Sequence, residues 1–533
     1  MIRMKICLPW FSLTAAALAI MAATATAQSP APAARLDPAR MPLVTTIDER
    51  FQSYNIEMVE VTGGRFWAPY KQAASGPTAV EDKAANGNPA GMKASLYRYR
   101  TPIDLTNPKL RMLARALSPA YMRVSGTWAN TTFFQDTDAT EPGKAPEGFG
   151  GVLTRAEWKN VIDFSKAIDA RLVTSFAIGM GVRDAHEVWT PDLAAKWLHY
   201  TKSIGGSIAL AEFFNEPNLA IMGGAPKDYT AEAYGRDMKI FHDFLKKESP
   251  ETRLIGPSSL GENSLLEQQP AELKHLRSVD MLTAEGPLLD GYSYHFYGDV
   301  SRRCKKPGEE ARPERALDAT WLTKTDKDEA YYASLRDRFA PGKPIYLSET
   351  GETACGGNPW ASSFADTFRY LRQLGSMAHA GVQAVMHNTL AASDYALIDE
   401  ATLTPRPSYW GAVLWNRTMG TKVLEAGQPA SANEYVYAHC LKGHAGGVAV
   451  LAINADTKKA LSLELPVNST RYTLTSTDVF SSNVQLNGKE VQLTPGGDLP
   501  ELKGVNQARG TAELPAASIT FFAIPDAHNA VCR

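Results

Sequence analysis

The sequence predicts an α/β protein, a parallel (β/α)8 barrel of the TIM type followed by a C-terminal antiparallel β-sandwich. Three observations predict it. Eight apolar, strand-like runs alternate with helical patterns over the first 414 residues, the order that parallel strands joined by crossover helices require. Two of these runs, Ala-Glu-Phe-Phe-Asn215-Glu216 and Pro-Ile-Tyr-Leu-Ser-Glu349, each end on a carboxylate, 133 positions apart. Beyond about residue 414 the texture changes to short β-rich runs separated by Asn, Gly, Pro and Asp. A chain of 533 residues accommodates a barrel of roughly 250 to 350 residues together with an accessory domain.

In chain order, the predicted barrel strands are 52–59, 120–127, 171–178, 208–215, 253–258, 291–297, 344–349 and 382–388. Apolar residues at i, i+3 and i+4 predict helices over 156–170, 191–203, 231–247, 328–339 and 364–380. The three βα units between the fourth and seventh strands average roughly 44 residues, a comfortable length for barrel units with insertions. The runs 447–453, 460–465, 471–480, 484–493 and 517–524 predict the sandwich, and no tandem repeat is evident.

The amino terminus has a different character. Arg3 and Lys5 precede an apolar stretch from Ile6 to Ala23, and Ala25-Thr26-Ala27 stands before Gln28. This is the pattern of a secretory signal over 1–27, with an uncleaved anchor as the alternative. The remaining boundaries are a flexible lead-in over 28–41, the barrel over 42–414 and the sandwich over 415–533. Hydrophobic residues make up 44% and charged residues 21%, with a formal net charge of -2. Signal removal leaves 53 basic against 57 acidic side chains, or -4, which excludes a nucleic-acid partner and leaves no membrane segment in the mature chain. The expected location is secreted or periplasmic.

Cys7 leaves with the signal, so Cys304, Cys355, Cys440 and Cys532 remain, an even number suited to an oxidising compartment. Four cysteines allow three pairings. Cys440 and Cys532 share the C-terminal region, and Cys304 and Cys355 follow two neighbouring barrel strands, which favours pairing within each set over four free thiols.

In a β/α barrel the strand ends and the loops after them build the active face. Two carboxylates there are the minimum apparatus for hydrolysing a glycosidic bond, one as acid and base and the other as nucleophile. The triplet Asn215-Glu216-Pro217 is shared by a broad clan of barrel glycosidases. Its surroundings narrow the match. The run from Asn107 through Arg123-Val-Ser-Gly126-Thr127 resembles glycoside hydrolase family 79, the heparanase and β-glucuronidase family. So do Tyr294-His295-Phe296-Tyr297, Asp366-Thr-Phe through Leu371, Leu374-Gly375, Val385-Met386, Asp394-Tyr395 and Leu397-Ile398-Asp399. The resemblance spans most of the barrel, and the end position of Cys532 is similar to that of the family's sandwich disulfide.

The resemblance implies a retaining β-glucuronidase with Glu216 as acid/base, Glu349 as nucleophile and Asn215 binding the sugar 2-hydroxyl. Glu352 competes for the nucleophile position, because Glu349-Thr350 and Glu352-Thr353 repeat the same pair, but only Glu349 continues the strand without a gap. Retention requires carboxyl groups roughly 5 to 5.5 Å apart, with one ionised and the other holding a proton. His295 and Tyr297, two residues apart on one strand, share a face, so that Tyr297 can aim Glu349. No metal-like partner set surrounds His295, and neither a metal nor a cofactor is expected.

Family members recognise glucuronic acid beside the cleaved bond. The expected clamp for that carboxylate is the Gly356 and Gly357 amides together with the Tyr395 hydroxyl. Asn55 and Glu57, alternating on the first strand, are expected to read sugar hydroxyls. The basic run Arg302-Arg303-Cys304-Lys305-Lys306 reads as a solvated loop or as a contact for a sulfated polymer. Ser125 where the animal pattern has glycine, and His387-Asn388 in place of an arginine-glutamine pair, favour weakly charged glucuronides over heparan-type polymers. An endo-acting heparanase, a non-catalytic glycan-binding relative and a clan glycosidase for neutral sugars are the alternatives.

Overall fold

Eight parallel strands close a barrel in sequence order. They are β1 (Gln52–Glu57), β2 (Ala120–Ser125), β3 (Ala170–Ser175), β4 (Ile208–Glu212), β5 (Arg253–Leu260), β6 (Gly291–Tyr297), β7 (Ile345–Gly351) and β8 (Val385–His387). Each is followed by a principal helix: α1 (Pro108–Arg115), α2 (Arg155–Ala167), α3 (Asp192–Ser203), α4 (Ala231–Glu248), α5 (Ser278–Glu285), α6 (Lys324–Phe339), α7 (Phe364–His379) and α8 (Pro407–Thr418). This computed structural model describes residues 34–533 except 71–92, 140, 267–274, 307, 309–310 and 430. The signal segment expected over 1–27 lies outside the described residues.

Local chemistry starts the helices. Asn107 caps α1 by accepting from the Lys109 and Leu110 amides, with Pro108 in the first turn where its missing N–H has no consequence. Thr154 and Glu157 form a reciprocal capping box at α2. The helical pattern at the sequence level missed α1, α5 and α8. The first two have eight residues each, and α8 is buried almost all round, so it shows no amphipathic stripe.

Inside the barrel, Tyr121, Val173, Leu210, Ile255, Tyr346 and Met386 form an apolar layer. One strand alternation further on, the inward residues turn polar: Arg123 follows Tyr121 on β2, and Glu212 follows Leu210 on β4. On β7 the register shifts so that Leu347 pairs with Tyr294 but Glu349 pairs with His295. This bulge gives Glu349 the same facing as His295, a common way of re-aiming a side chain beside an active site.

The second domain has two sheets. The larger runs in the order Leu43–Thr46, Met419–Leu424, Glu434–Leu441, Val448–Asn454, Ser518–Ile524, Ser469–Thr475, Gln485–Leu486 and Lys489–Glu490, with Val505–Gln507 also paired to Ser469–Thr475. The smaller joins Ala34–Arg35, Leu461–Leu465 and Gly510–Leu514. Leu36, Met41, Val450, Leu463 and Phe522 belong to its buried core. Residues 34–46 therefore differ from the expected lead-in and barrel start. They supply one strand to each sheet, because Leu36 and Met41 have an apolar core to enter there. At the other boundary α8 continues past residue 414 into the sheet at Met419. Tyr437 lies so close to Gly375 of α7 that a Cβ would stand 2.2 Å from its ring, so a bare helix position lets the sheet pack on the barrel.

Cys304 pairs with Cys355 and Cys440 with Cys532, the pairing within each set. Among the described residues no helix is long and apolar enough to cross a membrane.

Candidate active site

Glu216 sits just past the end of β4, in a left-handed backbone conformation with φ of 50°. Such a conformation is costly for a non-glycine residue and needs support from its surroundings. Asn130 supplies it: its amide donates to the Asn215 carbonyl and its oxygen accepts the Asn215 N–H, both at 2.9 Å. Asn218 then binds both backbone groups of Leu260. The turn that presents Glu216 is thus fastened to the segment after β2 and to the end of β5.

A buried arginine organises the centre. Arg123 donates to Glu349 at 2.8 Å, to Glu212 at 2.8 and 3.0 Å, and to the Asn215 side-chain oxygen at 2.8 Å. Tyr297 donates to the other Glu349 oxygen at 2.8 Å. The nucleophile candidate is held through both oxygens, one by a charge and one by a hydroxyl. Asn215, expected to meet the substrate, is itself fixed by Arg123.

His295 is fully buried between Arg123 and Glu216. Its Nε2 lies 3.3 Å from Arg123 Nη2, and its Nδ1 lies 3.1 Å from a Glu216 oxygen. A guanidinium can only donate, so Nε2 accepts and the ring proton sits on Nδ1, which donates to Glu216. Burial, reinforced by the Arg123 charge, holds His295 well below the usual histidine range and keeps it neutral.

Four carboxyl groups, Glu57, Glu212, Glu216 and Glu349, surround this one arginine, and burial decides which stay neutral. Burial and then the Glu349 charge push Glu216 well above the usual carboxylate range, against a smaller opposing pull from Arg123. The same two causes raise Glu57. Among the described residues, Glu216, His295 and Glu349 have donor atoms within 4.8 Å of one another, close enough to hold a metal. These donors already bond one another, Arg123 or Tyr297, and a cation would lie beside the guanidinium, so the donor set is poorly suited to a metal.

Asn388 joins the remaining groups. Its amide nitrogen lies 3.0 Å from Glu57, 2.9 Å from the Tyr297 hydroxyl and 3.1 Å from the Tyr395 hydroxyl. Glu57 is therefore in the centre, whereas Asn55 donates to the Ser348 carbonyl at 3.3 Å within the barrel wall. Gly356 and Gly357 both have positive φ and are buried, with Gly357 packed against Tyr395. The Gly357 N–H donates to the Thr353 carbonyl at 3.2 Å, so it is not free for a ligand as expected. Glu352 points elsewhere, accepting from the Thr353 hydroxyl and from the backbone and side chain of Asn358.

In the basic run after β6, Arg303 and Lys305 are tied up within the protein, while Arg302 and Lys306 are exposed. Arg303 stacks on Tyr70 at 4.0 Å, binds Asp394 at 2.9 Å and donates to the Ala68 carbonyl, and Lys305 pairs with Asp299 at 2.7 Å. Arg123, Glu212, Asn130 and Asn388 are the site residues that sequence reasoning missed. A legible signal existed for two: Arg123 and Glu212 each interrupt an otherwise apolar strand.

No protein-family model matches the chain. Curated relatives do. Heparanase-like protein 1 of Arabidopsis thaliana is 25% identical over 81% of this chain and 86% of its own length. Rat (Rattus norvegicus) heparanase is 27% identical over 80% and 87%. Over about four fifths of its length the chain is similar to heparanases and their relatives, the proteins of glycoside hydrolase family 79. It is a glycoside hydrolase. The baicalin-β-D-glucuronidase of Scutellaria baicalensis is 28% identical over 56% of this chain and 55% of its own length. In fold, the chain resembles a 4-O-α-L-rhamnosyl-β-D-glucuronidase from Fusarium oxysporum, with a TM-score of 0.63 and 12% identity over 92% of this chain and all of that one. A family 51 arabinofuranosidase from Xanthomonas axonopodis gives 0.60 and 16%, covering 92% of this chain and 98% of the other.

Proposed function

We propose that this chain is a retaining β-glucuronidase that hydrolyses β-D-glucuronides by double displacement. The observation that carries the reading is the approach of Glu216 and Glu349, whose nearest oxygens lie within 4.8 Å. That closeness is of the order of the roughly 5 to 5.5 Å carboxyl separation of retaining enzymes and short of the roughly 6.5 to 9.5 Å of inverting ones.

Each group has a role that its surroundings support. Glu349, aimed by Arg123 and Tyr297, attacks the anomeric carbon and forms a glycosyl ester as the bond to the leaving oxygen breaks. Glu216 supplies the proton to that oxygen. Esterification removes the Glu349 charge, which after burial is the largest cause that raises Glu216, so Glu216 becomes the stronger acid at the moment it must act as a base. It then takes a proton from the water that cleaves the ester.

The substrate carboxylate is read by the Tyr395 hydroxyl, which burial keeps protonated, together with the Gly356 amide. Gly357 contributes by allowing close approach. Glu57, raised and neutral, meets a sugar hydroxyl. The relatives named for glucuronidase activity support a glucuronic-acid-containing substrate, and the two disulfides are consistent with secretion to an oxidising compartment after removal of residues 1–27. Endo-acting cleavage of heparan-type polymers is the second reading, supported by the heparanase relatives.

The test is hydrolysis of an aryl β-glucuronide and the matching glucoside, followed by proton NMR. The expected result is preference for the glucuronide with the β-anomer as first product. Release of the α-anomer first, or no turnover, would overturn the reading.

A further inference from the structure

Deep in the barrel Arg123 and Glu212 form an ion pair closed to solvent, with both side chains 1% exposed. One Glu212 oxygen accepts from Nε at 3.0 Å and from Nη2 at 2.8 Å, and the other has no hydrogen-bond partner among the described residues. Arg123 is thus the one group there that the Glu212 carboxylate binds. A buried ion pair is seldom more stabilising than apolar side chains of similar volume, so its place in the barrel asks for another reason.

The guanidinium divides its contacts. Its Nε and Nη2 edge faces Glu212 on β4, and Nη1 reaches Glu349 on β7 at 2.8 Å. Burial works against the Arg123 charge, and the Glu212 and then the Glu349 carboxylate overcome it, raising the guanidinium above its usual range. One cation therefore has two anionic partners in direct contact, and only Glu349 is placed to react.

The reaction removes that second partner. When Glu349 attacks, one of its oxygens bonds to the anomeric carbon, the electron pair of the cleaved bond goes to the leaving oxygen, and that oxygen takes the Glu216 proton. The negative charge passes from Glu349 to Glu216, whose hydrogen bond comes from His295. Without Glu212, ester formation would leave Arg123 a buried cation with no carboxylate in hydrogen-bond contact, a costly arrangement.

We propose that Glu212 is a positioning residue that stays the counter-ion of Arg123 through the whole cycle, holding Nη1 on Glu349 before attack and stabilising the glycosyl ester once the Glu349 charge is gone. The proposal rests on the double-displacement reading and adds to it a group that acts only through Arg123. Its signature is kinetic. Loss of the Glu212 charge raises the ester in free energy relative to the free enzyme, so ester formation slows. Ester hydrolysis restores the Glu349 carboxylate beside an undivided guanidinium, so it does not slow. A change that only disturbed packing would slow both steps.

The experiment follows the intact mass of the full-length protein with a fluoroglucuronide carrying a dinitrophenolate leaving group, which departs without a proton from Glu216 and lets the ester accumulate. Adduct formation and, after removal of excess probe, adduct loss are timed separately in the parent and in Glu212→Gln. The expected result is formation slower by about ten-fold or more, with loss as fast as in the parent or faster. Equal slowing of both steps, or no change in either, would overturn the proposal and leave the glucuronidase reading standing. A parent that forms no adduct would overturn that reading and the proposal with it. If a melting curve shows that Glu212→Gln does not fold, Glu212→Asp takes its place. Its more distant charge should give the same asymmetry to a smaller degree, and equal slowing there would count against the proposal in the same way.

Discussion

The Nδ1 atom of His295 lies 3.1 Å from a Glu216 oxygen, and the opposite nitrogen of the same ring is occupied by Arg123. The arginine therefore fixes the tautomer that donates to the acid. A donor to a carboxylate favours its charged form, so His295 moderates the rise that burial imposes on Glu216.

Removing that donor gives the first prediction. In His295→Ala, Glu216 should hold its proton to higher pH, moving the alkaline limb of kcat/KM upward. Turnover should also fall about 10- to 100-fold as the acid loses its orientation. A pH-rate profile checks it, and an unmoved limb would mean that His295 does not donate to Glu216.

Glu349 and Glu352 are both buried, but only Glu349 faces Arg123 and Tyr297. Glu349→Gln should lower kcat by at least about 10³-fold, whereas Glu352→Gln should keep most activity on an aryl glucuronide. A mechanism-based fluoroglycoside should label the Glu349 peptide in a mass spectrum, and labelling of Glu352 would reverse the assignment.

Tyr395→Phe tests the uronate clamp. Loss of one charge-assisted hydrogen bond, about 1.5 to 3 kcal/mol, should cut kcat/KM on a glucuronide roughly 10- to 150-fold. A glucoside has no carboxylate to lose, so its slow hydrolysis should hardly change. Equal losses would make Tyr395 a prop for Asn388, which it touches at 3.1 Å, and not a reader of the substrate.

A fourth expectation concerns stability. Glu285 is buried on α5, and burial raises it from 4.5 to about 8 against the pull of the Tyr234 hydroxyl. A raised folded-state value means that the native protein holds this proton while the unfolded chain releases it. Stability should therefore decline as pH rises from about 4.5 to about 8 and level off above. Glu285→Gln removes the effect, so its melting temperature should exceed that of the parent at pH 8 by an amount equivalent to about 1 to 3 kcal/mol, and the gap should shrink toward pH 5. A constant gap across that range would assign the change to packing.

The barrel was legible because each strand is a contiguous apolar run, and a strand buried on both faces needs only local sequence to declare itself. Glu216 and Glu349 were legible for the same reason, as charges at the ends of such runs. The N-terminal strands at Ala34–Arg35 and Leu43–Thr46 were not, since their partners lie far along the chain, Leu463 against Ala34 and Val423 against Thr45, and nothing local records the pairing. Likewise Arg303, within the run from Arg302 to Lys306, reads as surface charge until Tyr70 and Asp394 are brought beside it.

Residue type and strand alternation are local properties, so the fold class, the two carboxylates and the aromatic and histidine residues of the sixth strand can be read along the chain. What those groups do to one another depends on the way the folded barrel brings them together. Arg123 becomes the counter-ion of Glu349 because strands far apart in sequence meet at one depth in a closed barrel, and a single bulge in β7 turns Glu349 toward it. Burial then sorts the crowded carboxyls, since one guanidinium in a low-dielectric interior cannot neutralise four.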